Sequence, residues 1–111
     1  MGLKLWIDDV RPAPEGYVWC KTTNEAKRII TNVMAMHEIA ITDNLPVIEV
    51  IDIDHDAGEC AIYGGDYIRV LDWLEKQEYD WEWAIRIHSM NPVGVENMIR
   101  IIEKNGWKEI R

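Results

Sequence analysis

The chain of 111 residues predicts a three-layer α/β fold built on a mainly parallel sheet. Three observations carry that expectation. Short apolar runs rich in β-branched and aromatic residues alternate with stretches of helical period, the pattern of right-handed βαβ units. Composition is 48 % hydrophobic and 29 % charged, the balance of a globular domain with its own core. No internal repeat, low-complexity segment or linker interrupts the pattern, so residues 1–111 are expected to form one domain.

The elements follow in order. The run "LKLWI" at 3–7 stops at Asp8-Asp9 and reads as a strand. Pro12, Pro14 and Gly16 make the next segment a loop, and "YVWC" at 17–20 is a second short strand near an edge. Thr22 or Thr23 supplies an N-cap for a helix whose stripe is Ala26, Ile29, Ile30, Val33 and Met34. Residues 37–46 fit either a helix tail followed by a loop or a further short strand, with His37 at the surface. "VIEVIDID" at 47–54 is the central strand. Gly64-Gly65-Asp66 lead into a helix carrying Tyr67, Val70, Leu71 and Leu74 as far as Lys76. "WAIRIH" at 83–88 is the next strand, and Trp73, Trp81 and Trp83 belong to the core or cover the sheet. A last helix carries Val95, Met98, Ile99 and Ile102 and ends at Asn105-Gly106, a favourable C-cap pair. "WKEIR" forms a final short strand.

Charge and cysteine content narrow the function classes. A net charge of −8 disfavours a broad surface for duplex nucleic acid but leaves room for a small anion held through a cation. Cys20 and Cys60, far apart and without a leader sequence, read as reduced thiols and point to a cytoplasmic location. No apolar run approaches the roughly 20 residues that span a bilayer, so no membrane association is expected.

Three strands end in polar clusters: Asp8-Asp9, Asp54-His55-Asp56, and His88-Ser89-Met90-Asn91. In a flavodoxin-like order 2-1-3-4, with or without a fifth strand, these tips are neighbours, and open parallel sheets bind ligands at that end. Alternation sends Asp8 and Asp9 to opposite sides, and likewise His88 and Ser89. Asp52 shares the parity of Asp54 but lies deeper, either half-buried with a partner or on the rim. Carboxylates crowded this way repel, so without a counter-ion at least one takes an elevated pKa. A hard divalent cation such as Mg²⁺ resolves the repulsion with oxygen ligands. Arg11, directly after the acidic pair, reaches either a phosphate or one of those carboxylates.

The blocks "LWIDDVRPAP" (5–14), "TTNEA" (22–26), "DIDHDAG" (52–58), "GGDY" (64–67) and "IHSMNPVG" (87–94) together resemble the cyclic-phosphate processing receiver-like domains. Those domains are similar in fold to the receivers of response regulators. The resemblance implies a receiver-like sheet and a role in binding or processing cyclic or terminal phosphates of nucleotides or RNA. The likeness to receivers suggests Asp8 and Asp9 for Mg²⁺ or another divalent cation, Asp54 at the phospho-acceptor position and Ser89 at the switch hydroxyl; in the mechanism expected here Asp8, Asp9 and Asp54 together hold the cation. His55, His88 and Asp56 are then the acid–base residues, with Asp56 orienting His55. Arg11, Asp66, Ser89 and Asn91 are the substrate-binding residues.

Receivers also carry a lysine at the end of the fifth strand, and "GWKEIR" offers Lys108 without that context. Phosphorelay through Asp54 is accordingly the weakest of the readings. The expected function is metal-dependent binding or hydrolysis of a small nucleotide phosphate or an RNA-end phosphate. The alternative is a non-catalytic nucleotide- or phosphate-binding module, or a degenerate receiver, that signals to a protein partner which the sequence does not specify.

Overall fold

Leu5, Ile7, Ile51, Ile53 and Ile85 are wholly buried, because they lie on the strands at the centre of a five-stranded sheet. The computed structural model describes residues 2–39, 45–79 and 82–110. The strands are β1 (Gly2–Ile7), β2 (Tyr17–Cys20), β3 (Val47–Ile53), β4 (Ala84–Ile87) and β5 (Lys108–Glu109), and the helices are α1 (Thr23–Ile39), α2 (Ile68–Gln77) and α3 (Pro92–Asn105). Every strand pair is parallel and the order is β2-β1-β3-β4-β5, the flavodoxin-like order with the short fifth strand present.

The number of layers is where the fold departs from expectation. Leu5, Ile7, Ile51, Ile53 and Ile85 share one core with Ala26 and Ile30 of α1, Leu71 and Leu74 of α2, and Met98 and Ile102 of α3. Residues of opposite parity face away from that core. Trp6 pairs with Asp52 and Asp52 with Arg86 across β1, β3 and β4. Three crossovers pass through helices, from β2 to β3, β3 to β4 and β4 to β5, and all advance across the sheet in one direction. Right-handed connections then place α1, α2 and α3 on one face, where α1 packs on α2 and α2 on α3. The single backward step, β1 to β2, is made by the proline-containing loop instead of a helix. The three-layer expectation is therefore corrected to one helical layer over one sheet. The loop itself covers part of the other face, where Trp6 Nε1 donates to Arg11 O at 2.8 Å.

Local chemistry sets the helix ends. Thr22 caps α1, its hydroxyl accepting from Glu25 N–H at 3.0 Å, while Glu25 accepts from Lys21 N–H. The buried Thr23 serves a different purpose, donating to Gly65 O at 3.0 Å. Residues 37–39 continue α1, and His37 donates from Nε2 to Pro46 O at 2.7 Å; positions 40–44 of that ambiguous stretch lie outside the described residues. Asn91 caps α3 by accepting from Gly94 N–H at 3.0 Å, with Pro92 at the first helical position. Gly106 closes α3 in the left-handed conformation at φ 68°, as the Asn-Gly pair predicts.

The sequence pattern did not foresee the 3₁₀ turn Gly58–Tyr63. Trp83 is buried and Trp73 packs against the core, whereas Trp81 lies outside the described residues. Cys20 and Cys60 are free thiols, and burial first of all pushes Cys20 up to about 12. Among the described residues no helix is long and apolar enough to cross a membrane.

Candidate functional site at the strand ends

The three polar clusters meet beyond the carboxyl ends of β1, β3 and β4. Backbone hydrogen bonds extend the ladder past each strand and fix the tips: Asp54 N–H donates to Ile7 O and His88 N–H to Ile53 O, both at 2.9 Å. Asp8, Asp9 and Asp54 each bring one carboxylate oxygen to within 4.8 Å of the others. An all-oxygen set of three carboxylates is the donor chemistry of a hard divalent cation, and the arrangement fits one.

The three carboxylates differ in surroundings. Asp8 is fully buried. Its Oδ1 accepts from Val10 N–H at 2.9 Å and Arg11 N–H at 3.0 Å, and its Oδ2 faces His88 Nε2 at 3.0 Å. Burial acts to raise its pKa, but the Arg11 and Val10 N–H groups and the His88 ring outweigh burial and hold the carboxyl below its ordinary value. Asp9 goes the other way: burial, with the nearby charges of Asp8 and Asp54, raises it. Repulsion among these carboxylates thus falls on Asp9. The Gly58 turn lies directly against it, since a Cβ there would sit 2.6 Å from Asp9 Oδ2. Asp54 is half-buried, and its Oδ1 accepts from His55 N–H at 2.7 Å.

The two histidines occupy unlike positions. His55 Nδ1 meets Asp56 Oδ1 at 2.8 Å, and its side chain is 14 % exposed. Asn91 Nδ2 donates to Asp56 at 3.3 Å. The His55 hydrogen bond first, and that of Asn91 after it, hold the Asp56 carboxyl below the usual carboxylate range. Among the described residues His55 Nε2 makes no hydrogen bond. His88 has no such free nitrogen. Its Nδ1 lies 2.6 Å from Asp52 Oδ1, its Nε2 faces Asp8, and its ring stacks on Trp6 at 3.8 Å between centroids with a 4° interplanar angle. Asp52 is therefore the buried member of a pair, also accepting from Arg86 Nη1 at 3.2 Å.

The remaining candidates are spread around this centre. Asp66 Oδ1 accepts from Ala57 N–H at 3.0 Å and brings its carboxylate close to His55 and Asp56. Ser89 Oγ accepts from Asn91 N–H at 3.2 Å, on the loop before α3. Arg11 is exposed, and among the described residues its side chain makes a single, long hydrogen bond of 3.5 Å to His88 O and no ion pair with Asp8 or Asp9. Trp6 and Trp19 were missed by sequence reasoning. Trp19 Nε1 donates to Asp8 O at 2.7 Å. The available signal was parity: Trp6 lies two residues before Asp8 on a short strand, hence on the same side.

Fold and site together define a receiver-like α/β domain with an acidic crevice at the carboxyl ends of its strands. The family model of the cyclic-phosphate processing receiver domain matches residues 3–104, and the chain belongs to that family. Neither the curated proteins nor the solved structures give a match.

Proposed function

We propose that this domain binds and hydrolyses a cyclic phosphate of a nucleotide or an RNA end, with a divalent cation held by Asp8, Asp9 and Asp54. The observation that carries the reading is the convergence of those three carboxylates, with His55 directly after Asp54 and its Nε2 without a hydrogen bond among the described residues. A cation there supplies charge neutralisation for the phosphate and a more acidic bound water.

The side chains account for the rest. His55 stands ready as general acid, its ring held through Nδ1 by Asp56 and its Nε2 left without a hydrogen bond among the described residues. In hydrolysis of a 2′,3′-cyclic phosphate a water oxygen bonds to phosphorus, one ester P–O bond breaks, the departing ribose oxygen takes the proton from His55 Nε2, and the proton released by the attacking water returns through solvent to His55. The product is a terminal phosphomonoester. Arg11, loosely held, is free to clamp phosphate oxygens, while Ser89, Asn91 and Asp66 line the approach. Phosphorelay is disfavoured by the position of Lys108, which pairs with Ala84 at the amino end of β4, away from the crevice.

The test is turnover of a panel of 2′,3′- and 3′,5′-cyclic nucleotides with Mg²⁺, Mn²⁺ or EDTA. Cation-dependent ring opening that His55→Ala abolishes is the expected result. Saturable binding without turnover would replace the enzyme by a binding module, and neither binding nor turnover would refute the reading.

A further inference from the structure

Both ring nitrogens of His88 are engaged inside the protein. Asp52, His88 and Asp8 form a continuous carboxylate–imidazole–carboxylate chain, with contacts of 2.6 and 3.0 Å and side-chain exposures of 2 %, 6 % and 0 %. Arg86 holds the far carboxylate at 3.2 Å, and the Trp6 indole lies flat on the imidazole. A chain so closed to solvent offers substrate no proton-transfer group. What it controls is the orientation of Asp8, whose other oxygen ties down the N–H groups of Val10 and Arg11.

We propose that Asp52, acting through His88 and braced by Trp6, is a positioning residue that fixes the Asp8 carboxylate and the turn after it. The geometry matches a general rule of metal sites: a side chain that binds the metal is oriented by a hydrogen-bonded partner, which another carboxylate orients in turn. Each link has its own anchor. Register pairs Asp52 with both Trp6 and Arg86, which places the three side chains on the helix-free face. The hydrogen bond of His88 N–H to Ile53 O sets where the imidazole rises between Asp52 and Asp8. Trp6 Nε1 donates to Arg11 O, so the same indole that supports His88 also pins the loop that follows Asp8. Removing Asp52 therefore loosens a ligand it never touches.

The inference rests on the cation reading for its effect on metal, but not for its effect on the turn, and two readouts separate them. The first is Mn²⁺ affinity by calorimetry for the wild-type chain, Asp52→Asn and His88→Phe; the Phe ring keeps the stack on Trp6 and deletes both hydrogen bonds. Loss of such a supporting partner weakens metal binding by about 10- to 100-fold, and that loss is expected in both variants. Leu74→Ala, destabilised in the distant core, is the control and should bind Mn²⁺ as the wild type does. The second readout is amide hydrogen exchange of Val10 and Arg11 without metal, expected to accelerate in Asp52→Asn and His88→Phe and not in Leu74→Ala.

Unchanged Mn²⁺ affinity in both site variants would overturn the proposal. A wild-type chain that binds no Mn²⁺ would refute the cation reading alone, and unaltered exchange at Val10 and Arg11 would then overturn the positioning role as well. Should Asp52→Asn fail to fold, His88→Phe decides both readouts.

Discussion

Gly94 tests how tightly the proposed general acid is held. Its backbone does not require glycine, since it is absent from the positive-φ positions and sits in the first turn of α3. Space is the constraint: a Cβ at Gly94 would lie 2.6 Å from His55 Cδ2 and 2.8 Å from Nδ1. Comfortable carbon contacts begin near 3.5 Å, so in Gly94→Ala the ring must retreat by about 1 Å. A displacement of that size breaks the 2.8 Å bond from His55 to Asp56. Misplacing a reacting group by about 1 Å costs on the order of 10²-fold in rate.

Stability should respond far less. Alanine is favoured over glycine in helices by up to about 1 kcal/mol, which offsets a lost surface hydrogen bond of similar size. The assay pairs cyclic-phosphate turnover with carbon-detected NMR of the Asp56 carboxyl. Because the His55 hydrogen bond is the chief cause of the depressed Asp56 pKa, the variant should titrate closer to an ordinary carboxylate. A depressed carboxyl stabilises the fold above its unfolded-state pKa, and this contribution fades as pH falls through the folded value. Any stability gap due to Asp56 should therefore narrow in acid. An Asp56 titration identical to that of the wild type would refute the claim that Gly94 makes room for His55.

Three further predictions concern neighbouring groups. Asn91→Ala removes the α3 cap and should cost about 1 kcal/mol in melting experiments, whereas Asn91→Asp keeps the cap and loses the donor to Asp56, so only the first should lower the melting temperature appreciably. Asp9, whose pKa is raised by burial and by its acidic neighbours, opposes folding once ionised, a penalty that grows as pH rises through its folded pKa. Mg²⁺ stabilisation should accordingly increase over that rise in pH in the wild type and much less in Asp9→Asn, as thermal shift would show. Cys20, buried and with its thiol pushed up to about 12, should resist a thiol reagent at pH 8 in the native protein, leaving the half-buried Cys60 as the residue modified.

Much of this arrangement could be read from residue order. Asp8-Asp9 and Asp54 terminate apolar runs, and a parallel sheet brings such ends together whatever the details of packing. The Asn105-Gly106 pair marked the end of α3, and the closing "WKEIR" after it marked β5. Besides the 3₁₀ turn Gly58–Tyr63 and the indoles of Trp6 and Trp19, two features depended on packing that residue order does not carry. Helices on one face only follow from the direction of the crossovers, which depends on the β1–β2 loop making the single backward step without a helix. The role of His88 depends on register: only when Asp52 sits beside Trp6 and Arg86 does the imidazole have partners on both nitrogens. Asp52, ambiguous in the sequence, is resolved by that same register.

The most direct test of the acidic crevice is a Mg²⁺ titration followed by melting temperature, on the wild type and on Asp54→Asn. A cation that binds only the folded state at a hundred times its Kd stabilises by about 2.7 kcal/mol. The account predicts a saturable rise for the wild type that Asp54→Asn greatly reduces. A wild-type melting temperature that ignores Mg²⁺, or an equal rise in both proteins, would contradict it.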